Sequence, residues 1–328
     1  MVPYPFWRRR AGGSEAVRGC PEMRRALQPV DDRLTEPFKR PHMPVTFLFE
    51  AGRSASTLGL QVLINSLYVG YISNLLAKFW FAPYLGAMLE RDLLDPEAGS
   101  SLNSRFGMTD ALHEPNEWGW FWQYWLGIDE GESYCRDSAV VDSPGFLSKI
   151  AALEAVKKAP LIFDNVYASA NFPILEAILP RTVIIRLRRD PYYICNSHIN
   201  ARIDRYGDIG CFYGIRPRNI GEILRLDDPV EQVVVQVKSV IEEMNETLAR
   251  VPQANILTID YETFVEDPPA LVEDYVRLLA AQGVNIKRKG NPPPPSFRNR
   301  NDPELIRPEV RDRLDTLFSK HFASSPAS

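Results

Sequence analysis

The segment after the first apolar run of the sequence combines a glycine, a cation and three hydroxyls. The run is Val45–Phe49, and the residues that matter next are Gly52, Arg53, Ser54, Ala55, Ser56 and Thr57. A guanidinium supplies charge and a fork of donors, while hydroxyls and N–H groups at a helix start bond oxyanions. The composition predicts a cradle for a phosphate-like anion. An ordinary strand–turn–helix capped by Ser and Thr is the alternative, since the Walker A pattern is absent.

A second cluster of anion-binding residue types follows a later apolar run, Thr182–Leu187. Asp190 as N-cap and Pro191 as first helical residue predict that a helix begins there. Arg189 precedes this start, and Ser197 lies about two helical turns further on. Both side chains could converge on one phosphate; the alternative is a surface ion pair for Arg189 and a solvated helix position for Ser197.

Short apolar runs separated by helical patterns indicate the elements that position these clusters. Besides the two runs above, Leu161–Phe163 ends at Asp164, and Ile256–Ile259 precedes another acid. This alternation predicts an α/β fold, a three-layer parallel sheet flanked by helices. Ligands of such sheets collect at the carboxyl ends of the strands, where both clusters lie. Helical spacing is clearest over residues 56–67, 148–158, 230–250, 270–281 and 307–322.

Composition limits the function classes. The 328 residues carry a net charge of −4, too balanced for a general nucleic-acid binder. The four histidines lack metal-ligand spacing, and no apolar run has the length of a membrane span. Residues 1–42 are rich in Arg, Pro and Gly, which predicts a disordered extension before one domain at 43–328, with Met43 as a hypothetical natural start. A transit peptide is the alternative to the favoured cytoplasmic location.

The two clusters together resemble the sulfotransferases that use 3′-phosphoadenosine-5′-phosphosulfate (PAPS). The likeness lies in Gly-Arg-Ser-x-Ser-Thr after the first strand and Arg-Asp-Pro-x₅-Ser after a later one. In character it is nearest to bacterial members that act on carbohydrates or glycolipids. The resemblance implies a P-loop NTPase-like sulfotransferase fold and sulfuryl transfer from PAPS to an acceptor hydroxyl. It also implies adenosine 3′,5′-bisphosphate as a product and no metal.

The resemblance assigns roles by position. Gly52–Thr57 would bind the 5′ side of the donor, with Arg53 stabilising charge on the sulfuryl group, and Arg189 and Ser197 would bind the 3′-phosphate. Ala55 stands where the family usually has glycine, so its backbone is expected to keep an ordinary conformation. A shorter match to the family's closing loop adds Arg288, Lys289 and Gly290, and Asp260-Tyr261-Glu262 resembles a further family segment.

Residues 113–125 supply candidates for the base and the acceptor site. Glu117 and Glu114 rank above His113 as the base that takes the acceptor's proton, because a carboxylate near aromatic rings has a raised pKa. Solvated acids that cap the next helix are the alternative. Trp118, Trp120 and Trp122 predict either a buried helix or a wall for a glycan or glycolipid acceptor, which would allow peripheral membrane contact.

Two other functions stay open. A P-loop kinase acting on a small molecule or nucleotide would use Asp164 as a magnesium ligand, although the Gly-Lys-[ST] sequence is missing. A non-catalytic nucleotide-binding relative would keep the fold without turnover, and Ala55 in the loop keeps that alternative open.

Overall fold

The computed structural model describes residues 21–322, and a four-stranded parallel sheet lies at its centre. The strands are β1 (Val45–Phe49), β2 (Ile162–Asp164), β3 (Thr182–Arg188) and β4 (Ile256–Asp260), in the spatial order β2-β1-β3-β4. β1 has the predicted bounds, and each other strand continues one residue past its predicted run. The predicted α/β class and parallel sheet are therefore confirmed.

Helices cover both faces of the sheet. The predicted helices are present with modest shifts at their ends, and Asp190 caps its helix by accepting a 2.9 Å hydrogen bond from the Tyr192 N–H. None of the helices between residues 21 and 322 has the length and apolar character needed to cross a bilayer. In chain order the helices are α1 (Pro21–Thr35), α2 (Ser56–Ser66), α3 (Asn74–Ala77), α4 (Pro83–Leu93), α5 (Gly119–Trp125), α6 (Ser143–Lys157), α7 (Val166–Ala170), α8 (Phe172–Ile178), α9 (Pro191–Tyr206), α10 (Ile220–Ile223), α11 (Pro229–Leu248), α12 (Tyr261–Glu266), α13 (Pro268–Ala281) and α14 (Pro308–Phe322).

Alternating residues of the strands feed two separate apolar cores. Phe47 and Phe49 pack with Trp122 on one face, whereas Leu48 and Ile185 lie in the cluster on the other. Side chains of a strand alternate between faces, so one short apolar run serves both layers. Each buried large side chain contributes about 1.5–3 kcal/mol, which fixes the sheet and the loops at its carboxyl edge.

The N-terminal helix α1 is part of the domain. Lys149, 2% exposed on α6, places its Nζ 2.8 Å from Asp31 Oδ2 and 2.7 Å from Asp32 Oδ1. A chain starting at Met43 would leave this ammonium buried without its carboxylates, at a cost of several kcal/mol. The predicted disorder is therefore wrong for residues 21–42, and the boundary at residue 42 lies too late. Residues 1–20 lie outside the described part of the chain.

Candidate functional site

The loop between β1 and α2 has the geometry of an anion cradle. Gly52, Arg53 and Ala55 all adopt left-handed backbone conformations, with φ of 80°, 64° and 69°. Turns of this kind direct successive N–H groups towards a common point. Ala55 offers no side-chain cap to α2, and within the loop the Ser54 N–H donates a 3.1 Å hydrogen bond to Glu50 Oε2. The prediction of an ordinary backbone conformation at Ala55 is wrong, because the loop imposes a left-handed one on a residue with a Cβ.

Ala55→Gly should increase stability. A left-handed conformation is unfavourable for an L-residue with a side chain, whereas glycine adopts it freely but loses more entropy on folding. The balance favours glycine by roughly 0.5–1 kcal/mol. Chemical denaturation with a fluorescence readout measures the difference, and a less stable variant would show that the Ala55 methyl group makes packing contacts that outweigh the strain.

The two predicted clusters meet at neighbouring strand ends. Arg53 Nε donates a 3.0 Å hydrogen bond to Ser197 Oγ, and Arg189 Nη1 donates one of 2.8 Å to the Arg53 carbonyl oxygen. β1 and β3 are adjacent in the sheet, which brings the ends of both strands together. Arg53 therefore connects the loop to α9, and the expected 5′ and 3′ pockets are contiguous.

Arg189 also contacts Tyr261 and Asn301, and the segment around Asn301 has no role assigned from the sequence. Its Nε donates a 2.7 Å hydrogen bond to Asn301 Oδ1, and its guanidinium lies 4.5 Å from the centre of the Tyr261 ring. Burial, together with the charges of Arg53 and Arg300, lowers the pKa of Arg189. Several positive charges close together favour the binding of a dianion such as a phosphate. The sequence feature that could have indicated this contact is the polar stretch Arg298-Asn-Arg-Asn301 after the proline run.

Glu117 is the carboxylate that faces the loop. Glu117 is exposed to solvent, and a Cβ atom on Gly107 would come within 2.7 Å of its Oε1. The surrounding protein raises the pKa of Glu117 to about 7, mainly through desolvation and secondly through the charge of Glu50. The positive charges of Arg53 and Arg205 oppose this rise in the pKa of Glu117. A carboxyl with such a pKa can accept a proton near neutral pH.

A buried carboxyl, that of Asp164, lies at the carboxyl end of β2. Asp164 accepts a 2.9 Å hydrogen bond from Ser56 Oγ, the hydroxyl of the first residue of α2. Burial, then the charges of Glu50 and Glu117, raises the pKa of Asp164 well above its ordinary value. Over residues 21–322, no three or more His, Cys, Asp or Glu side chains are grouped so that they could hold a metal ion. The hydrogen bond between Ser56 and Asp164 fixes the start of α2 to the end of β2.

The other two candidate bases have different surroundings. Glu114 is only 2% exposed and accepts hydrogen bonds from Gln61, Ser100 and Ser101. Burial alone would raise the pKa of Glu114, but these hydrogen bonds lower it. The carboxylate therefore holds Ser100 and Ser101 in place. The backbone carbonyl oxygen of His113 accepts a 2.7 Å hydrogen bond from the Tyr71 hydroxyl.

The predicted aromatic wall lies mainly inside the protein. Trp118 and Trp122 are 2% and 0% exposed, and the Trp118 ring stacks on Phe121 with centroids 3.7 Å apart. Trp120 is half-buried and packs against the same core. The acceptor-wall interpretation is therefore wrong for Trp118 and Trp122, and the buried helix is the correct alternative. Aromatic residues join whichever core is nearest, and here that core lies beneath β1 and β2.

Arg288, Lys289 and Gly290 lie away from the cradle. The Arg288 guanidinium forms hydrogen bonds of 2.6 and 2.7 Å with Glu273, and the Lys289 N–H donates one of 2.8 Å to the Ser66 carbonyl oxygen. Ser66 is the last residue of α2, whereas the cradle surrounds its first, about 15 Å away along the helix. The donor-binding role predicted for this segment therefore stays a prediction that its position at the far end of α2 does not support.

Arg288→Ala and Lys289→Ala should change nucleotide affinity by less than about twofold, because surface substitutions away from a site have effects within about 0.5 kcal/mol. Isothermal titration of each variant with adenosine 3′,5′-bisphosphate measures this. A larger, nucleotide-specific loss would mean that the segment moves to the cradle when the donor binds.

Comparisons with known proteins give the fold. No family model and no curated protein matches the sequence. Among solved structures, the chain is similar to the sulfotransferase STF1 from Mycobacterium tuberculosis H37Rv, with 15% identity, a TM-score of 0.50 and coverage of 79% of this chain and 72% of that one. STF9 from Mycobacterium avium has 12% identity and a TM-score of 0.46 over 93% and 81% of the chains. The sulfotransferase domain of the Synechococcus PCC 7002 olefin synthase has 17% identity and a TM-score of 0.42 over 88% and 91%. The four-stranded parallel sheet flanked by helices thus matches the fold of a bacterial sulfotransferase.

Proposed function

We propose that this protein transfers a sulfuryl group from PAPS to a hydroxyl of an acceptor. The observation that carries the proposal is the hydrogen-bonded arrangement of Arg189, Arg53 and Ser197 at two adjacent strand ends, with Glu117 beside Arg53. PAPS has negative groups at both its 5′ and 3′ positions, and the contiguous pockets offer a cation to each. The sulfotransferase fold supports the same reaction.

The donor would lie along the connected pockets. N–H groups of the loop and of the start of α2 would bind the 5′-phosphosulfate, as helix starts bind anions elsewhere. Arg189 and Ser197 would bind the 3′-phosphate through charge-assisted hydrogen bonds. Asn301 and Tyr261 hold the Arg189 guanidinium in place, so less side-chain entropy is lost when the nucleotide binds.

The reaction is an in-line displacement at sulfur. Glu117 removes the proton of the acceptor hydroxyl while its oxygen forms a bond to sulfur. The bond between sulfur and the bridging phosphate oxygen breaks, and the electron pair leaves with adenosine 3′,5′-bisphosphate. Arg53 stabilises the negative charge that spreads over the sulfuryl group and the departing phosphate, the main form of catalysis in such transfers.

The residues present fit a donor that reacts without a divalent cation. Arg53 supplies positive charge at the loop, and the Asp164 carboxyl accepts a hydrogen bond from Ser56. The carbohydrate or glycolipid acceptor was predicted from the tryptophans, of which Trp118 and Trp122 are buried. The proposal is therefore limited to a hydroxyl acceptor.

The kinase alternative has one observation in its favour. Ser56 and Asp164 are joined as the loop hydroxyl and the strand-end aspartate of a P-loop kinase would be around Mg²⁺. However, Ala55 occupies the position immediately before the hydroxyl, where a Walker A loop has its lysine. Without that cation the β- and γ-phosphates of ATP lose a main contact, so the sulfotransferase function is favoured.

Thermal shift and transfer assays distinguish the two functions. Adenosine 3′,5′-bisphosphate with a chelator present should raise the melting temperature, since a ligand at 100 times its Kd stabilises by about 2.7 kcal/mol. Radiolabelled PAPS should then label a hydroxylated acceptor. A larger shift with ATP and Mg²⁺, together with phosphate transfer, would establish the kinase instead. Binding of the bisphosphate without transfer to any acceptor would indicate the non-catalytic relative.

A further inference from the structure

The first residue after β1 places a carboxylate against the cradle loop. Glu50 follows Phe49, the last residue of the strand, and its Oε2 accepts a 3.1 Å hydrogen bond from the Ser54 N–H. The chain between the two partners includes Gly52 and Arg53, both in left-handed conformations. One of the N–H groups that could bind an oxyanion of the donor is therefore already bound to an anionic side chain of the protein itself.

A second donor group of this loop also contacts a carboxyl of the protein. Ser56 Oγ donates a 2.9 Å hydrogen bond to Asp164 Oδ2 at the end of β2. Because β1 and β2 are neighbours in the sheet, Glu50 and Asp164 lie at adjacent strand ends. Between residues 50 and 57 the sequence has one cation, Arg53, and it lacks the lysine of a Walker A loop. The loop therefore combines a single positive charge with acidic groups from two strands.

The negative charge of Glu50 acts on two other carboxyls of the site. It raises the pKa of Glu117 and that of Asp164, in each case as the largest cause after desolvation. In the proposed reaction the sulfuryl group lies between the loop and Glu117. The end of the donor's 5′ group would therefore be repelled by the Glu50 carboxylate while it is attracted by Arg53.

Sulfate and phosphate esters of the same shape differ in charge. Above pH 7 a terminal phosphate carries nearly two negative charges, whereas the sulfuryl group of PAPS carries one. At the effective dielectric of a protein surface, two like charges about 10 Å apart repel enough to change a binding constant roughly tenfold. The Glu50 carboxylate is one hydrogen bond away from the loop, so a group bound by the other N–H groups of the loop lies within this distance.

From these contacts we propose that Glu50 selects the donor by charge: its carboxylate favours the singly charged sulfuryl end of PAPS over the doubly charged end of the matching diphosphate. This inference rests on the proposed sulfuryl transfer and names a specificity-determining residue of the same site. Glu50 takes no part in the bond changes, and its hydrogen bond to the Ser54 N–H keeps the carboxylate at the loop. Nucleotides that end in a phosphate, ATP among them, are disfavoured for the same reason.

A matched pair of nucleotides tests the proposal. PAPS and adenosine 3′-phosphate 5′-diphosphate have nearly the same shape and differ by one charge, because phosphorus replaces sulfur at the terminal position. Isothermal titration at pH 8, with a chelator and without an acceptor, gives the Kd of each nucleotide. The unsubstituted protein should bind PAPS more tightly than the diphosphate by roughly tenfold. Both ligands carry the 3′-phosphate, so the proposed contacts with Arg189 cancel in the ratio of the two Kd values.

Substitutions at Glu50 connect the Kd ratio to this residue. Glu50→Gln keeps an oxygen that can accept from the Ser54 N–H but removes the charge, so the ratio should fall to about one. Glu50→Ala should change the ratio equally, while both nucleotides bind more weakly because the loop loses its hydrogen bond. Glu97→Gln is the matched control: this exposed carboxylate contacts the Tyr68 hydroxyl, past the other end of α2, and the ratio should not change.

The outcomes separate this inference from the proposed function. If Glu50 only held the loop in shape, its substitution would weaken both nucleotides in equal proportion, and an unchanged ratio in Glu50→Gln would overturn the inference. The unsubstituted protein supplies a test that does not depend on any variant folding: equal or tighter binding of the diphosphate would also overturn it. If PAPS binds and its sulfuryl group is transferred without such a preference, the proposed function stands alone. If neither nucleotide binds, the proposed function fails as well.

Discussion

Glu117→Gln is expected to lower kcat by about 10²- to 10⁴-fold, the usual contribution of a positioned general base. Glutamine has nearly the same shape, so the close contact with Gly107 is preserved while the proton acceptor is lost. Affinity for adenosine 3′,5′-bisphosphate should be nearly unchanged, because Glu117 makes no proposed contact with the nucleotide. Steady-state sulfuryl transfer and isothermal titration measure the two quantities.

The pH dependence supplies the sharper test of Glu117. Because the surrounding protein raises its pKa to about 7, the rate of the unsubstituted protein should rise with pH up to about 7 and level off above it. This rise should be absent in Glu117→Gln. Glu97→Gln is the matched control, since this exposed carboxylate contacts Tyr68 away from the loop. A Glu117→Gln variant with an unchanged rate and pH profile would exclude Glu117 as the base.

Glu117→Gln should lower kcat without lowering the stability of the folded protein above neutral pH. The pKa of Glu117 is raised from 4.5 in a free side chain to about 7, so the folded state favours the protonated form. Its contribution to stability is complete below about pH 4.5 and is lost as the pH rises through about 7. Glu117→Gln removes this dependence, so thermal unfolding at pH 8 should show a variant at least as stable as the parent. This separates loss of catalysis from misfolding.

The sequence predicted the sheet well because the evidence for it is local. Short β-branched runs such as Thr182–Leu187 are readable without tertiary information, and all four predicted strands are present. Helix α1 was missed for the opposite reason. Its composition of Arg, Pro and acids resembles a solvated segment, and its attachment depends on Lys149, more than a hundred residues away in the chain.

The residues of the candidate site were likewise predicted only in part. The cradle and the Arg189…Ser197 pair were found because each is a short pattern at a strand end, and the structure brings them together. Asn301 approaches the site from a distant segment, which spacing alone does not reveal. Trp122 shows the converse. Whether an aromatic side chain lines a binding site or fills the core depends on where the core lies, and the sequence pattern alone does not show that.

Arg189→Ala is expected to weaken adenosine 3′,5′-bisphosphate by roughly 10- to 100-fold, or about 1.5–3 kcal/mol, and adenosine 5′-monophosphate much less. The difference arises because the lost guanidinium contacts only the 3′-phosphate in the proposed complex. Its hydrogen bond to the Arg53 carbonyl oxygen also supports the loop, and that part of the effect should be shared by both nucleotides. The comparison of the two losses therefore isolates recognition of the 3′-phosphate from general damage to the site.

Two further variants make this comparison decisive. Arg188→Ala removes an adjacent guanidinium that is hydrogen-bonded to Asp260 at 2.7 and 2.9 Å, and it should leave both affinities nearly unchanged. Ser197→Ala should act in the same direction as Arg189→Ala but more weakly, since a neutral hydroxyl contributes about half as much as a charged donor. Equal losses for the two nucleotides in Arg189→Ala would reject the assignment, because the donor's 3′-phosphate would then have to lie elsewhere than between these two residues.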